Sequence, residues 1–223
     1  MIFYSHEHAR IPSPCGQANR KPLYFGKIAK QEVAMHAVKH EYINFDDYLT
    51  GERDVDVRSE YVDGQIYAMS GASELHNTVS AELFGAILGK TPLECRAWQS
   101  DMKVVIRHSS KNFAYYPDIM VACGENTDDA YTRSNPILSV EVLSPSTKRT
   151  DLGEKFENYT QIPTLREYVI VSQDTPHLQI FRRRCNWKVE YYYSGDTFTL
   201  ESVGLEMTVD TIYRRVRKEV GLD

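Results

Sequence analysis

The chain has 223 residues, of which 42% are hydrophobic, enough for one sizeable core or at most two small ones. Its formal net charge of -5 at pH 7 argues against a protein that coats nucleic acid nonspecifically, but not against an enzyme with a local basic surface. No apolar run approaches the roughly 18 residues that cross a membrane, and the N-terminus lacks the apolar core of a signal peptide.

The cysteines and the missing motifs narrow the function classes further. The four cysteines, at positions 15, 95, 123 and 185, are widely spaced and form no C-x-x-C pair. This spacing argues against a zinc site and indicates packing residues in a reducing, cytoplasmic setting. The sequence has no G-x-S-x-G, Walker loop, G-x-G-x-x-G or H-E-x-x-H, which removes the common hydrolase, nucleotide-binding and zinc-protease interpretations.

The first part of the chain differs from the rest. Residues 1–38 contain three prolines, little periodicity and an excess of basic residues, so we predict a poorly ordered N-terminal extension. Residues 39–223 are predicted to form one organised domain. Met35, just before this domain, is a candidate for the biological start.

Helix and strand signals become clear from residue 43 onwards. The first is a short helix in "NFDDYLTGERD", with Asn44 as its N-cap. Asp63-Gly64 lies between two apolar-rich arms and predicts a hairpin. Residues 74–90 carry apolar side chains at helical spacing. Strands are predicted at 102–106, 118–123 and 137–143.

The second half of the domain also combines predicted helices and strands. A helix is predicted from Asp151 to about Gln161, with Thr150 or Asp151 as its cap. Strands follow at "REYVIVS", "LQIFRR" and "WKVEYYY", and a last helix near 210–219. Strands clustered around two helices, with several hairpins, predict an α+β domain with a mixed central sheet.

Two carboxylates stand on apolar strands. Glu141 lies in the middle of "ILSVEVL", where burial costs several kcal/mol without a paired charge, a metal ion or a raised pKa. Asp118 opens the strand after Pro117. If the two converge, their hard oxygens suit Mg²⁺ or Mn²⁺. Taken alone, a carboxylate at a strand start such as Asp118 is usually a turn or capping residue.

Lys155 is a third candidate. On the predicted helix it shares a stripe with Tyr159 and Ile162, at i, i+4 and i+7, which faces the sheet. A lysine on such a face usually extends its ammonium to solvent. If the ammonium instead reaches Asp118 and Glu141, it can orient a water and stabilise charge that develops on a phosphate.

The order of these residues, Pro-Asp at 117–118, then Glu141, then a lysine, resembles the PD-(D/E)XK nuclease superfamily. More narrowly, the chain resembles the Uma-two family of bacterial restriction endonucleases over roughly residues 43–213. The segments that carry the resemblance are "EYVDGQIYAMSGASELHN", "SDMKVVI", "YPDIMVAC", "PILSVEVLSPSTKRTDLGEKFENY", "LREYVIV" and "VGLEMTVDTIY".

The resemblance implies a restriction-endonuclease-like core in residues 39–223, with Asp118 and Glu141 as metal ligands and the backbone carbonyl of Val142 as a further ligand. The superfamily's usual lysine position is Leu143 here, so the chain departs from the plain pattern. In the Uma-two family the lysine comes from the next helix, and Lys155 matches it. Lys148 and Arg149 are rivals for this role that lie in the preceding turn.

Further residues are weaker candidates. Glu60 matches an acid that supports the metal site through a water or a second ion. His76 also matches the family and is a candidate for substrate contact, although a histidine there is more often structural. Arg182, Arg183 and Arg184, with the C-terminal Arg214, Arg215, Arg217 and Lys218, are candidate phosphate contacts, although such runs usually form solvated faces.

These observations predict a Mg²⁺-dependent (or Mn²⁺-dependent) endonuclease that hydrolyses phosphodiester bonds of DNA. Its catalytic residues would be Asp118, Glu141, Lys155 and Glu60, and a homodimer is expected because two sites cut two strands most easily. The alternative is a catalytically lapsed protein on the same fold that binds nucleic acid or serves in an assembly.

Overall fold

The computed structural model describes residues 42–144 and 151–222, without the side chain of Asp151. The predicted extension over residues 1–38 therefore lies outside the described residues. The same holds for Thr150, one of the two predicted helix caps, and for Lys148 and Arg149. No helix in the described ranges has both the length and the apolar character needed to cross a membrane.

The described part of the chain contains thirteen strands and four α-helices. The helices are α1 Phe45–Gly51, α2 Glu74–Leu88, α3 Phe156–Thr160, which continues a π-helical turn Asp151–Lys155, and α4 Val209–Ile212. The strands are β1 Ser59–Val62, β2 Gln65–Ala68, β3 Cys95–Gln99, β4 Lys103–His108, β5 Lys111–Tyr115, β6 Ile119–Cys123, β7 Thr132–Arg133, β8 Pro136–Leu143, β9 Glu167–Ser172, β10 His177–Arg182, β11 Val189–Tyr193, β12 Thr197–Leu200 and β13 Leu205–Thr208.

The first sheet has five strands in the order β2-β1-β5-β4-β7. Its first hairpin turns at Asp63 and Gly64, whose φ angles of 44° and 95° are the positive values that this two-residue turn requires. Helix α1 covers the sheet, and the Asn44 side chain caps it by accepting hydrogen bonds from two backbone N–H groups. Both the hairpin and the cap agree with the sequence prediction.

The second sheet has six strands in the order β11-β10-β9-β8-β6-β3. Strand β8 runs parallel to β9, while the other neighbouring pairs are antiparallel, so the sheet is mixed as predicted. All eight residues of β8 are buried, because both faces of this central strand are covered.

The two faces of the second sheet pack against different layers. Helix α2 covers one face through Val79, Leu83 and Ile87. The other face meets the first sheet and α3 in a second cluster that includes Tyr115 and Tyr159. Side chains alternate across β8, so Leu143 and Glu141 belong to this second face. Glu141 therefore points into the space between the two sheets.

Two helices differ from their predicted bounds. The 151–161 helix begins with a π-helical turn, and the C-terminal helix covers only Val209–Ile212 instead of 210–219. After α4 the chain continues in turns, and Arg214 and Arg215 both bind Glu82 of α2. Contacts with another helix, which local periodicity does not report, hold this segment.

The prediction that the cysteines are packing residues of a reducing compartment is wrong for the three described ones, Cys95, Cys123 and Cys185, which are all disulfide-bonded. Cys95 of β3 lies opposite Cys123 of β6, and a disulfide joins them. Residues 28 positions apart become cross-strand neighbours only in the folded sheet, so spacing in the sequence does not reveal the pair. The disulfide removes the support that cysteine spacing gave to a cytoplasmic location.

We expect loss of this disulfide to lower the free energy of unfolding by about 3 kcal/mol, because the crosslink restricts the unfolded chain. A Cys95→Ala/Cys123→Ala variant should accordingly unfold roughly 5–10 °C below the wild type in a thermal scan without reductant. An unchanged midpoint, or thiol alkylation of Cys95 and Cys123 in unreduced protein, would contradict the crosslink.

Candidate active site

A cleft of about 670 Å³ opens at the end of the second sheet. The predicted residues that line it are His76, Asp118, Glu141, Val142 and Lys155. They come from α2, the start of β6, the end of β8 and the π-helical turn. Residues far apart in the sequence therefore meet at one surface.

Asp118 lies directly opposite Glu141. Ile119 pairs with Val140 in the antiparallel β6–β8 ladder, and extending this register by one position brings the two acids face to face. The Asp118 side chain reaches β8, where its Oδ2 accepts a hydrogen bond from the Val142 backbone N–H at 2.6 Å. The carboxylate remains accessible from the cleft, with 20% of its side chain exposed.

Glu141 is almost completely buried, with 3% of its surface exposed. Its Oε1 accepts a hydrogen bond from the Tyr159 hydroxyl at 3.2 Å and lies 3.5 Å from the Lys155 ammonium. These two groups compensate a carboxylate that would otherwise be strongly destabilised on an apolar sheet face.

Lys155 is the centre of a three-residue charge cluster. It is only 5% exposed, and its Nζ lies 2.9 Å from Glu60 Oε1 and 3.5 Å from Glu141 Oε1. The ammonium also lies 5.6 Å from the centre of the Tyr115 ring, a cation–π contact. The helical stripe therefore directs Lys155 inward to the acids and not to solvent.

Glu60 of β1 holds this lysine from the first sheet. Its Oε1 also accepts a hydrogen bond from the Tyr116 backbone N–H at 3.1 Å, which fixes the carboxylate beside Lys155. In this geometry Glu60 is the charge partner of the lysine. Its predicted support of a metal through a water or a second ion stays a prediction.

His76 contacts Asp118. Its Nε2 lies 3.3 Å from Asp118 Oδ2, and the ring is held in the first turn of α2, where Ser73 caps the helix by accepting from the His76 backbone N–H. The histidine thus orients an acid of the site, and its predicted contact with substrate stays a prediction.

The three consecutive arginines do not line the cleft. Arg182 is 2% exposed and binds Glu167 and Glu190, so the prediction that it contacts substrate is wrong. Arg183 donates to backbone carbonyls and Arg184 pairs with Glu201. A charge run in a sequence does not reveal internal partners from other strands. Phosphate contact at Arg183 and Arg184 stays a prediction.

Tyr159 is the site residue that the sequence analysis missed. Its place in the Lys155 stripe indicated an apolar contact, whereas its hydroxyl binds Glu141. Burial raises the pKa of Tyr159 well above its usual value, and the charge of Glu141 raises it further, so the hydroxyl stays protonated and donates. A tyrosine four residues after a candidate catalytic lysine on one helix is the signal that could have identified it.

The donor set fits a hard divalent cation. Among the described residues no three His, Cys, Asp or Glu side chains form a metal-binding group, so a site here would combine Asp118 and Glu141 with the Val142 carbonyl and water. Mg²⁺ commonly binds through one or two carboxylates and keeps several waters. Two carboxylates contact the one lysine and a third, that of Asp118, lies in the same cleft, so these groups carry an excess of negative charge that a cation would balance.

Comparison with known proteins places this geometry in context. The sequence model of the Uma2 family, described as "putative restriction endonuclease", matches residues 45–210. The uncharacterized protein slr1290 of Synechocystis is 35% identical over 174 residues, which cover 76% of this chain and 90% of that protein. A second Synechocystis protein, sll1609, is 36% identical over 135 residues, which cover 57% of this chain and 73% of that protein.

A solved structure has the same architecture. A "putative nuclease" from Anabaena variabilis superposes with a TM-score of 0.63 and 17% sequence identity, covering 77% of this chain and 98% of that chain. The likeness concerns the fold. It confirms the predicted α+β, restriction-endonuclease-like class.

Removing the charge of Lys155 and removing the charge of Glu141 should have different effects on the free energy of unfolding. Lys155→Met leaves Glu60 and Glu141 together without their cation, and we expect a loss of about 3 kcal/mol. Glu141→Gln should change stability by less than about 1 kcal/mol or raise it, because Lys155 keeps Glu60 and the repulsion with Asp118 is relieved. Urea unfolding at pH 8 measures both.

The double variant Lys155→Met/Glu141→Gln serves as the control, because it should recover part of the loss. A sharp loss of stability in Glu141→Gln alone would instead assign Glu141 a structural role.

Proposed function

The chain belongs to the Uma2 family of nucleases, and on this premise we propose that it is a metal-dependent endonuclease that hydrolyses phosphodiester bonds of DNA. The observation that carries the proposal is the Lys155 ammonium beside Glu141, in the same cleft as Asp118. An acid pair and a cation in one cleft are the groups that phosphodiester hydrolysis uses.

The acids would hold Mg²⁺ or Mn²⁺. Asp118 and Glu141 offer carboxylate oxygens from neighbouring strands, and the Val142 carbonyl would be a further ligand. The ion would neutralise phosphate charge and lower the pKa of a bound water, so that a strong protein base is unnecessary. Val142 N–H and His76 fix the Asp118 carboxylate, and the Tyr159 hydroxyl fixes that of Glu141.

Lys155 would act on the phosphate. Its ammonium is held by Glu60 at 2.9 Å and is shielded from water, so its charge is weakly screened. A fixed cation of this kind stabilises the negative charge that grows on the phosphate oxygens and costs no reorganisation during the reaction. Glu60 has the role of a positioning residue.

The residues that line the cleft suit a sugar-phosphate backbone. They include the small residues 70–73 and Arg58. Small side chains leave room for a sugar-phosphate backbone, and an arginine favours phosphate. Two copies of the chain would cut both strands of a duplex, so a homodimer is part of the proposal.

Cleavage of plasmid and oligonucleotide DNA with and without Mg²⁺ tests this function. We expect Asp118→Asn to lose more than about 100-fold in rate, because a ligand of the ion is removed. Asp47→Asn is the matched control, since Asp47 is an exposed acid of α1 that does not line the cleft, and this variant should cleave like the wild type.

Binding of DNA without metal-dependent cleavage would favour the alternative, a lapsed binding or assembly protein. Cleavage that persists in Asp118→Asn would show that another site or a contaminant is responsible.

Lys155→Met should cleave about 100-fold to 1000-fold more slowly while it still binds metal, because the lysine acts mainly on the transition state. Calorimetric titration with Mn²⁺ and single-turnover cleavage separate the two effects. Lys148→Met is the control for the rival lysine. If Lys155→Met cleaves like the wild type and Lys148→Met does not, the assignment of Lys155 is wrong.

A further inference from the structure

Arg133 of β7 is a buried cation, and two of its three guanidinium nitrogens lack a hydrogen-bond acceptor in the described part of the chain. It is 3% exposed, and its Nε and Nη1 atoms are buried without a hydrogen-bond partner. A buried donor without an acceptor destabilises the folded state, and more so if the donor is charged. Nothing in the charge cluster of the cleft uses this residue.

A second arginine and an indole ring lie next to it. The Arg133 guanidinium lies 4.9 Å from the centre of the Trp98 ring, and Arg96 stands two residues before Trp98 on the same face of β3. Burial lowers the pKa of Arg133, and the charge of Arg96 lowers it further. The charge of Asp128 raises the pKa of Arg133. The Asp128 Oδ2 atom, however, accepts a hydrogen bond from the Ser134 backbone N–H. Two positive groups thus approach each other at this point.

Strand β3 connects the two arginines with the cleft. Strands β3 and β7 are edge strands of the two sheets, and Arg96 pairs with Ala122 of β6. Ala122 is four positions from Asp118, which corresponds to about 13 Å along the strand. Ser100, just beyond β3, lines the cleft and donates its backbone N–H to the Asp118 carbonyl at 3.0 Å. The edge strand β3 therefore leads from the arginines to the acids.

We propose that Arg133 and Arg96 form a phosphate-binding subsite that holds a backbone phosphate of the nucleic-acid strand entering the Asp118 cleft. The ligand class follows from the chemistry, because guanidinium groups bind phosphate through paired N–H donors. A phosphate would supply the acceptors that Arg133 lacks and would relieve its repulsion with Arg96. The assignment to a strand rests on the proposed function, whereas the affinity for phosphate does not.

The first experiment uses inorganic phosphate and needs no nucleic acid. Phosphate should raise the melting temperature of the wild type more than chloride at equal ionic strength, since it binds the folded state only. Arg133→Met and Arg96→Met should lose this gain. Arg96 is exposed, so its variant tests the subsite even if Arg133→Met folds poorly.

Lys188→Met is the matched control. It removes one positive charge beside β11, the opposite edge of the same sheet, and should keep the phosphate effect. Equal stabilisation of the wild type and both arginine variants would overturn the subsite.

The second experiment measures binding of a fluorescent oligonucleotide in the Asp118→Asn background, so that cleavage does not interfere. Arg133→Met should weaken binding about tenfold and reduce the slope of log K against log salt by about one. Arg133→Lys keeps the positive charge but loses the paired N–H donors of the guanidinium group. This variant should therefore keep most of the salt dependence of binding but not the affinity.

The outcomes separate the two proposals. If the oligonucleotide binds the wild type and Arg133→Met equally, the strand assignment is overturned while the proposed nuclease function stands. If phosphate stabilises the wild type but no oligonucleotide binds, the site serves free phosphate or a small phosphate ester, and the strand assignment falls together with the nuclease proposal.

Discussion

The contact between the Lys155 ammonium and the carboxylates of Glu60 and Glu141 is the interaction on which the rest of the site depends. Glu141 occupies a central strand with both faces covered, where an isolated carboxylate would cost several kcal/mol. Lys155 compensates that charge at 3.5 Å and is itself held by Glu60 at 2.9 Å. Lys155 and Glu141 are buried, Glu60 is partly buried, and each of the three comes from a different element.

The charge cluster depends on the packing of the layers of the fold. Glu60 belongs to the first sheet, Glu141 to the second, and Lys155 to the turn that precedes α3. The cluster therefore forms only when both sheets and α3 have packed through their shared apolar cluster. Asp118 completes the arrangement from β6, and His76 of α2 contacts it from the other layer. Asp118 is the more exposed acid of the cleft, which Glu141 and Lys155 also line.

Local patterns predicted much of this arrangement, and long-range pairing accounts for what they missed. Asp63-Gly64 identified a hairpin because only certain backbone angles fit a two-residue turn. The mid-strand Glu141 and the helical stripe of Lys155 indicated an internal charge pair. The Cys95–Cys123 disulfide and the burial of Arg182 against Glu167 and Glu190 depend on strand order, which no local window contains. The role of the Tyr159 hydroxyl was missed because an apolar contact of the ring was enough to account for a tyrosine in the helical stripe.

The central claim is that Asp118 and Glu141 share one divalent cation. Anomalous diffraction from crystals soaked in Mn²⁺ tests it most directly, because it locates the ion independently of activity. We expect one peak in the cleft, about 2.0–2.3 Å from an oxygen of each carboxylate and from the Val142 carbonyl, and no peak in Asp118→Asn crystals. A well-occupied peak that contacts only one of the two carboxylates, or no peak at all at saturating Mn²⁺, would contradict it.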